Sequence, residues 1–382
     1  MKSPRLTPMV RLAAIAGAFL LLTGTTLVLQ DSDQPAGVRT LAAGVRDDLP
    51  KHREPPPPEP KPKPPPPPPQ PVARAPLAPG GAPAFGVVCP PVSGGAAGSP
   101  PAPPSGIQPY EGLGAWIDIF DYAIRDCLDP ATAVDALAGR GVKTLYLQTS
   151  RYKQPQDIVF PEAVNLFLER AHQRGIRVVG WYVPGFGDLE RDVRRSLAVL
   201  NYSTPAGHRF DGFAADIESR EEVGSVEAFN AAVVEYSRRL RGSVPPGTVI
   251  GAIVVDAKNN ERAPARWAGF PWGEIARHYD VVMPMAYWTV TKGPAPACFS
   301  REFDAAGYIR EVVSKTQALM GSPKPMHVIG GIADCTTLAE VAGYVTAAGE
   351  TSSIGGSTYD FATIQANPAA EGIWAELGRL NE

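Results

Sequence analysis

Scarcity sets the first limits. The chain carries four cysteines and five histidines in 382 residues, with no CxxC pair and no HxxxH spacing among them. A zinc site built from sequence-local ligands is therefore not expected. Positive charge is not in excess either: 36 Lys+Arg stand against 39 Asp+Glu, a formal net charge of −3. Nothing is left over to neutralise a phosphate backbone, so a dedicated nucleic-acid binder is not expected. No GxGxxG follows the first candidate strand, and no other cofactor motif is present, so no cofactor is implied.

What the chain has is proline, 42 residues of it, and a hydrophobic fraction of 44%, ample for one large domain or two medium ones. Residues 1–30 hold three cations, Lys2, Arg5 and Arg11, before an 18-residue apolar run at 12–29. That run is long for the core of a signal peptide and short for a membrane span, so signal anchor and cleaved signal peptide both stay open. Either way the rest of the chain is exported, anchored by this segment or secreted. Of the 42 prolines, 24 fall between positions 50 and 109, six of them consecutive at 64–69. Such a stretch cannot donate backbone hydrogen bonds or bury a core. Residues 31–110 therefore read as a disordered, extended linker.

From residue 111 to 382 the pattern changes to short apolar runs alternating with amphipathic ones. Candidate strands lie at 113–120, 142–148, 177–182, 212–216, 249–255, 281–287, 327–332 and 354–359. Helices between them carry recognisable ends, such as Asp129-Pro130 before one, Pro161 opening another and Ser225 capping a third. Strand then helix, eight times over, predicts an α/β fold, a (β/α)8 TIM barrel.

Active sites of that fold collect at the carboxyl ends of the strands. Here that edge carries Asp118, Gln148, Tyr182, Asp216, Glu218, Asp256, Tyr287, Trp288, Asp334, Tyr359 and Asp360. Taken alone, Asp256 or Asp334 reads as a cap for the next helix. Taken together, the acidic residues point away from an anionic substrate. The aromatic ones, with Trp116 and Trp181, suit stacking on pyranose faces. In strand four, period two places Gly212, Ala214, Asp216 and Glu218 on the inner side. Two crowded carboxylates should raise one pKa, as a proton donor to a glycosidic oxygen requires. This reading requires that Glu218 is neither locked against a guanidinium nor turned outward beneath a helix. The glycine pairs 330–331 and 355–356 lack nearby cations for a phosphate and read as packing residues; Lys258 is the only lysine near a strand end available to a Schiff-base aldolase.

Residues 211–218, DGFAADIE, resemble the DGxDxDxE signature of the family 18 glycoside hydrolases, the chitinase-like barrels, and residues 283–288, MPMAYW, resemble that family's MxYD strand. The resemblance implies that Glu218 protonates the leaving group, that Asp216 orients an acetamido group, and that Tyr287 hydrogen-bonds the acetamido oxygen. Gln148, Tyr182, Asp118, Asp256, Trp288, Tyr359 and Asp360 are the expected substrate-binding residues, and no metal is expected. Ala214 and Trp288 stand where the family has aspartates. A direct two-carboxylate route would pair Glu218 with Asp118, Asp256 or Asp360. Under a barrel the least strained cysteine pairing joins Cys298 to Cys335 and Cys89 to Cys127. The expected protein is an exported, monomeric glycoside hydrolase acting on a polysaccharide, such as one of N-acetylated wall sugars, or else a catalytically inactive barrel that binds such a glycan. Its only expected membrane contact is the N-terminal segment.

Overall fold

The computed structural model describes residues 88–92, 98–292, 297–301 and 303–382. The apolar run and most of the proline-rich stretch lie outside the described residues, as does any anchor they form. Among the described residues no helix is long and apolar enough to cross a membrane.

Eight parallel strands close into a barrel in sequence order. They are β1 Gly112–Ile117, β2 Thr144–Arg151, β3 Arg177–Val183, β4 Gly212–Ile217, β5 Ile250–Val255, β6 Val281–Met285, β7 His327–Ile332 and β8 Gly355–Tyr359. The main helices outside them are α1 Pro130–Gly139, α2 Pro161–Gln173, α3 Leu189–Leu200, α4 Val226–Ser243, α5 Trp272–His278, α6 Ala305–Met320, α7 Leu338–Glu350, α8 Phe361–Ala366 and α9 Ala370–Leu377. The expected eightfold alternation is thus observed. Local chemistry sets the helix starts: Asp129, Ser225 and Asp304 each accept a backbone N–H of the first turn, and Thr337 with Glu340 forms a reciprocal capping box.

Cross-strand register identifies the inward side chains. Trp116 lies beside Tyr146, Trp181 beside Ala214, Asp216 beside Ile253, and Met285 beside Ile329. The interior is aromatic on the β1 side, where the Trp116 and Tyr146 rings stack at 4.3 Å and the Trp116 indole N–H donates to Ser357 at 2.7 Å. It is small on the β4–β5 side, where Ala214 faces Gly251. Large residues against small ones fill the barrel, leaving a packed core rather than a pore.

The end of the stretch read as linker belongs to the packed unit. Tyr110 is fully buried at the amino ends of β4 and β5, its hydroxyl donating to the Phe213 carbonyl at 2.7 Å. Disulfides join Cys89 to Cys127 and Cys298 to Cys335, the pairing expected from the barrel. Two such bonds and no free cysteine fit an oxidising compartment. Replacing both Cys298 and Cys335 by Ser frees a loop of sequence separation 37. A stability loss of about 2–4 kcal/mol is expected, read by thermal melting.

Candidate active site

Parity along each strand decides which residues reach the carboxyl-end mouth. On β4 the inner positions are Gly212, Ala214 and Asp216, and Glu218 follows one residue past the strand. Asp216 is 6% exposed, and its Oδ1 is buried with no hydrogen-bond partner among the described residues. Carrying a charge there would be costly. Burial, and then the charge on Glu218, push its carboxyl well above the usual range. Burial likewise raises Glu218, against the pull of Arg151 and Arg266. Two acids this close release their protons as a pair, and the pair holds a proton at pH values where an ordinary carboxylate has lost it.

No ion pair to Glu218 occurs among the described residues, and its charge is felt by Tyr287, which faces the same mouth. The Tyr287 phenol is raised well above its ordinary value by burial and by Glu218, so it remains a hydrogen-bond donor. Arg151, at the end of β2, lies over the Phe120 and Tyr152 rings at 5.7 and 5.4 Å from their centroids. It is the cation acting on both Asp216 and Glu218. Its positive charge lowers both carboxyls, so Arg151→Gln should raise the Glu218 pKa further. The alkaline limb of a pH–rate profile, where the acid loses its proton, is then expected to move to higher pH.

A second acidic group sits at the ends of β1 and β8. Asp118, Asp121 and Asp360 can each turn one oxygen to within 4.8 Å of the others. Asp118 Oδ1 accepts the Phe120 and Asp121 N–H groups at 2.7 and 3.1 Å, and Asp118 Oδ2 accepts the Tyr359 hydroxyl at 3.0 Å. Asp121 Oδ2 accepts the Asp118 N–H at 3.1 Å, and Asp360 Oδ1 accepts the Thr363 N–H at 2.8 Å as the cap of α8. Burial, then the Asp118 charge, lift Asp360 to about 7. The same two causes lift Asp121 well above the carboxylate range. Burial raises all three carboxyls against the donors that pull Asp118 and Asp360 down, so the group holds protons at pH values where an isolated carboxylate is ionised. The Tyr359 ring lies 6.0 Å from that of Tyr287, so the two acidic groups border one mouth.

Three expected substrate-binding residues are placed elsewhere. Tyr182 falls on the outer parity of β3; it is fully buried, and its hydroxyl donates to Asp192 of α3 at 2.6 Å. Asp256 likewise faces the helices, fully buried, accepting Tyr308 at 2.7 Å and pairing with Arg262 at 3.1 Å. Trp288 is fully enclosed. A Cβ on Gly330 or Gly331 would meet its ring at 3.0 or 2.9 Å, so these glycines serve packing. Gln148 is on the inner parity of β2, 3% exposed, and its Oε1 accepts the Ile119 N–H. Trp116 and Trp181 are interior core, and Lys258 is paired with Glu311. Residues the sequence reading passed over are Arg151 and Asp121.

The fold is a closed (β/α)8 barrel with paired carboxylates at its carboxyl mouth. No family model matches the sequence, and no curated protein matches it. Among solved structures, it is similar to the family 18 chitinase of Cycas revoluta in complex with (GlcNAc)3, at 12% identity and TM-score 0.51 over 70% of this chain and 98% of that one. It is also similar to the spore cortex-lytic enzyme SleL of Bacillus cereus, at 12% identity and TM-score 0.52 over 73% and 76%. The endo-1,4-beta-mannanase of Rhizomucor miehei matches at 9% identity and TM-score 0.50 over 68% and 90%. At such identities the likeness is one of fold, shared with family 18 chitinases and other glycoside hydrolase barrels.

Proposed function

We propose that the barrel is an exported glycoside hydrolase that cleaves a polysaccharide containing N-acetylated sugars, with Glu218 as the general acid. The observation that carries this reading is the Asp216–Glu218 pair: two carboxyls at the strand ends, both raised by burial, with no ion pair to Glu218 among the described residues. In that role the Glu218 proton passes to the glycosidic oxygen as the bond to the anomeric carbon breaks, and the sugar becomes a leaving alcohol. Asp216 Oδ1, without a partner among the described residues, is suited to a polar group of the substrate, and the Tyr287 hydroxyl to a carbonyl such as that of an acetamido group. The Cycas chitinase, a neighbour in fold, binds a GlcNAc oligomer, which supports the choice of sugar. Export is supported by the two disulfides and by the apolar run at 12–29, acting as anchor or cleaved signal.

A binding barrel without turnover is the second reading, favoured by one observation. Ala214 puts a buried methyl where the related signature has an aspartate. Incubating the protein with GlcNAc oligomers, chitin and peptidoglycan while measuring new reducing ends separates the two. Released ends support the hydrolase; tight glycan binding with no release on any of these polymers overturns it and supports the binding barrel.

A further inference from the structure

The described arginines are mostly spent on carboxylates, from Arg125 with Asp126 to Arg379 with Glu376. Arg151 is not. Among the described residues its guanidinium enters no ion pair and no hydrogen bond, and its Nε is buried without an acceptor. The side chain as a whole is half-buried, so its outer nitrogens reach solvent. The register of β2 on β3 decides which solvent. Gln148 lies beside Trp181, Ser150 beside Tyr182 and Arg151 beside Val183, with Thr149 passed over. Trp181 and Val183 share the inner parity of β3, and Tyr182 the outer. Without the extra residue, period two would set Arg151 with Leu147 on the helix side; the shift returns it to the mouth, as bulges beside active sites do.

The charge placed there has no full counter-charge. Its field reaches Asp216, Glu218 and Glu221. Burial holds the first two toward their neutral forms, and Glu221 is bonded to Lys153. A second arginine without an ion pair among the described residues, Arg266, acts on Glu218 from the connection between β5 and α5. Arg151 also lies over two rings, Phe120 and Tyr152, at 5.7 and 5.4 Å from their centroids, which limits its rotamers before any ligand arrives. A planar guanidinium held this way offers a pair of N–H donors that match a carboxylate, and little freedom is lost on binding one.

We propose that Arg151 is a specificity residue that binds a carboxylate carried by the sugar chain, so that the substrate is an acidic glycan of N-acetylated sugars rather than a neutral chitin-like one. The proposal rests on the hydrolase reading above and narrows the substrate of that same site. The acidic strand ends, read alone, point to a neutral sugar; the register shift adds the cation that strict alternation places outside the mouth.

Two kinds of carboxylate are tested on the full-length protein: peptide-free peptidoglycan strands, whose lactyl ethers end in one, and oligomers alternating GlcNAc with glucuronate, which carry it on the ring. Each is compared with the same glycan after reduction of its carboxyls to alcohols, and with neutral GlcNAc oligomers. Calorimetry reads Kd, and new reducing ends read kcat/KM. The unaltered protein is expected to favour at least one acidic glycan over its reduced form by roughly 10–100-fold, the usual worth of a charged hydrogen-bonded pair. Arg151→Gln should bring that ratio close to one, and Arg151→Lys should keep part of it. Because each ratio compares two glycans on one protein, the altered acidity of Glu218 in the glutamine variant cancels. Preference for the freed strands alone assigns the lactyl carboxylate, and preference for the glucuronate oligomers alone assigns the ring carboxylate. Equal handling of acidic and reduced glycans by the unaltered protein overturns the proposal, and this arm stands even if a variant fails to fold. A preference that survives in full in Arg151→Gln overturns it too. Cleavage of neutral oligomers without preference removes this inference and keeps the hydrolase; carboxylate-dependent binding with no turnover on any polymer removes the hydrolase and keeps Arg151 as the carboxylate contact.

Discussion

Glu218→Gln is expected to lower turnover on an unactivated polysaccharide by about 10²–10⁴-fold, the contribution of a positioned proton donor. The substitution preserves volume and two polar atoms, so the mouth keeps its shape. What it removes is the transferable proton. In the native protein that proton is held by burial against the fields of Arg151 and Arg266. An amide also cancels the repulsion that Glu218 exerts on Asp216 and Tyr287. Glycan affinity, measured by calorimetry, should stay within a few-fold, and the melting temperature should hold or rise. Unchanged turnover in the variant would remove the acid role. Unchanged turnover together with lost affinity would make Glu218 a binding residue.

Trp288→Ala is expected to destabilise the fold by about 3–5 kcal/mol, the usual cost of emptying a buried aromatic site. Its indole is fully enclosed, rests on Gly330 and Gly331, and lies 5.6 Å from the Tyr344 ring. The indole N–H also points to Glu340 Oε2 at 3.4 Å, and Glu340 is the buried partner of Lys292 at 2.5 Å. The variant therefore opens a cavity and thins the polar shell of a buried ion pair at once. For a domain of this size the loss corresponds to roughly 6–15 °C in melting temperature. Glycan affinity of the folded fraction should be unchanged; a selective loss of binding with normal stability would restore Trp288 to the substrate cleft.

The barrel was legible because its signals are local. Strand β7 spans the expected residues 327–332, and most other strands differ by one to three residues at an end. Pro130, Pro161 and Ser225 mark helix starts through chemistry that sequence carries in full. The mouth was legible only in part. Asp118, Asp216, Glu218, Tyr287, Tyr359 and Asp360 gather there, whereas Tyr182, Asp256 and Trp288 stand one residue out of phase and face the helices. Listing strand ends without applying parity merged the two sets. Arg151 was hidden for another reason: the β2–β3 register shifts between Gln148 and Ser150, so period two cannot be extrapolated past that point. Asp121 lies beyond β1 in a single wide helical turn, Phe120–Ile124, where no strand period applies.

The Cys89–Cys127 bond encloses Tyr110 and the whole of β1 in one covalent loop. A pull on the chain ahead of Val88 enters the barrel at Cys127, and the segment between the two cysteines is relieved of tension. Strand β1, which lies inside that loop, is thereby shielded from being peeled out of the sheet by tension on the chain ahead of it.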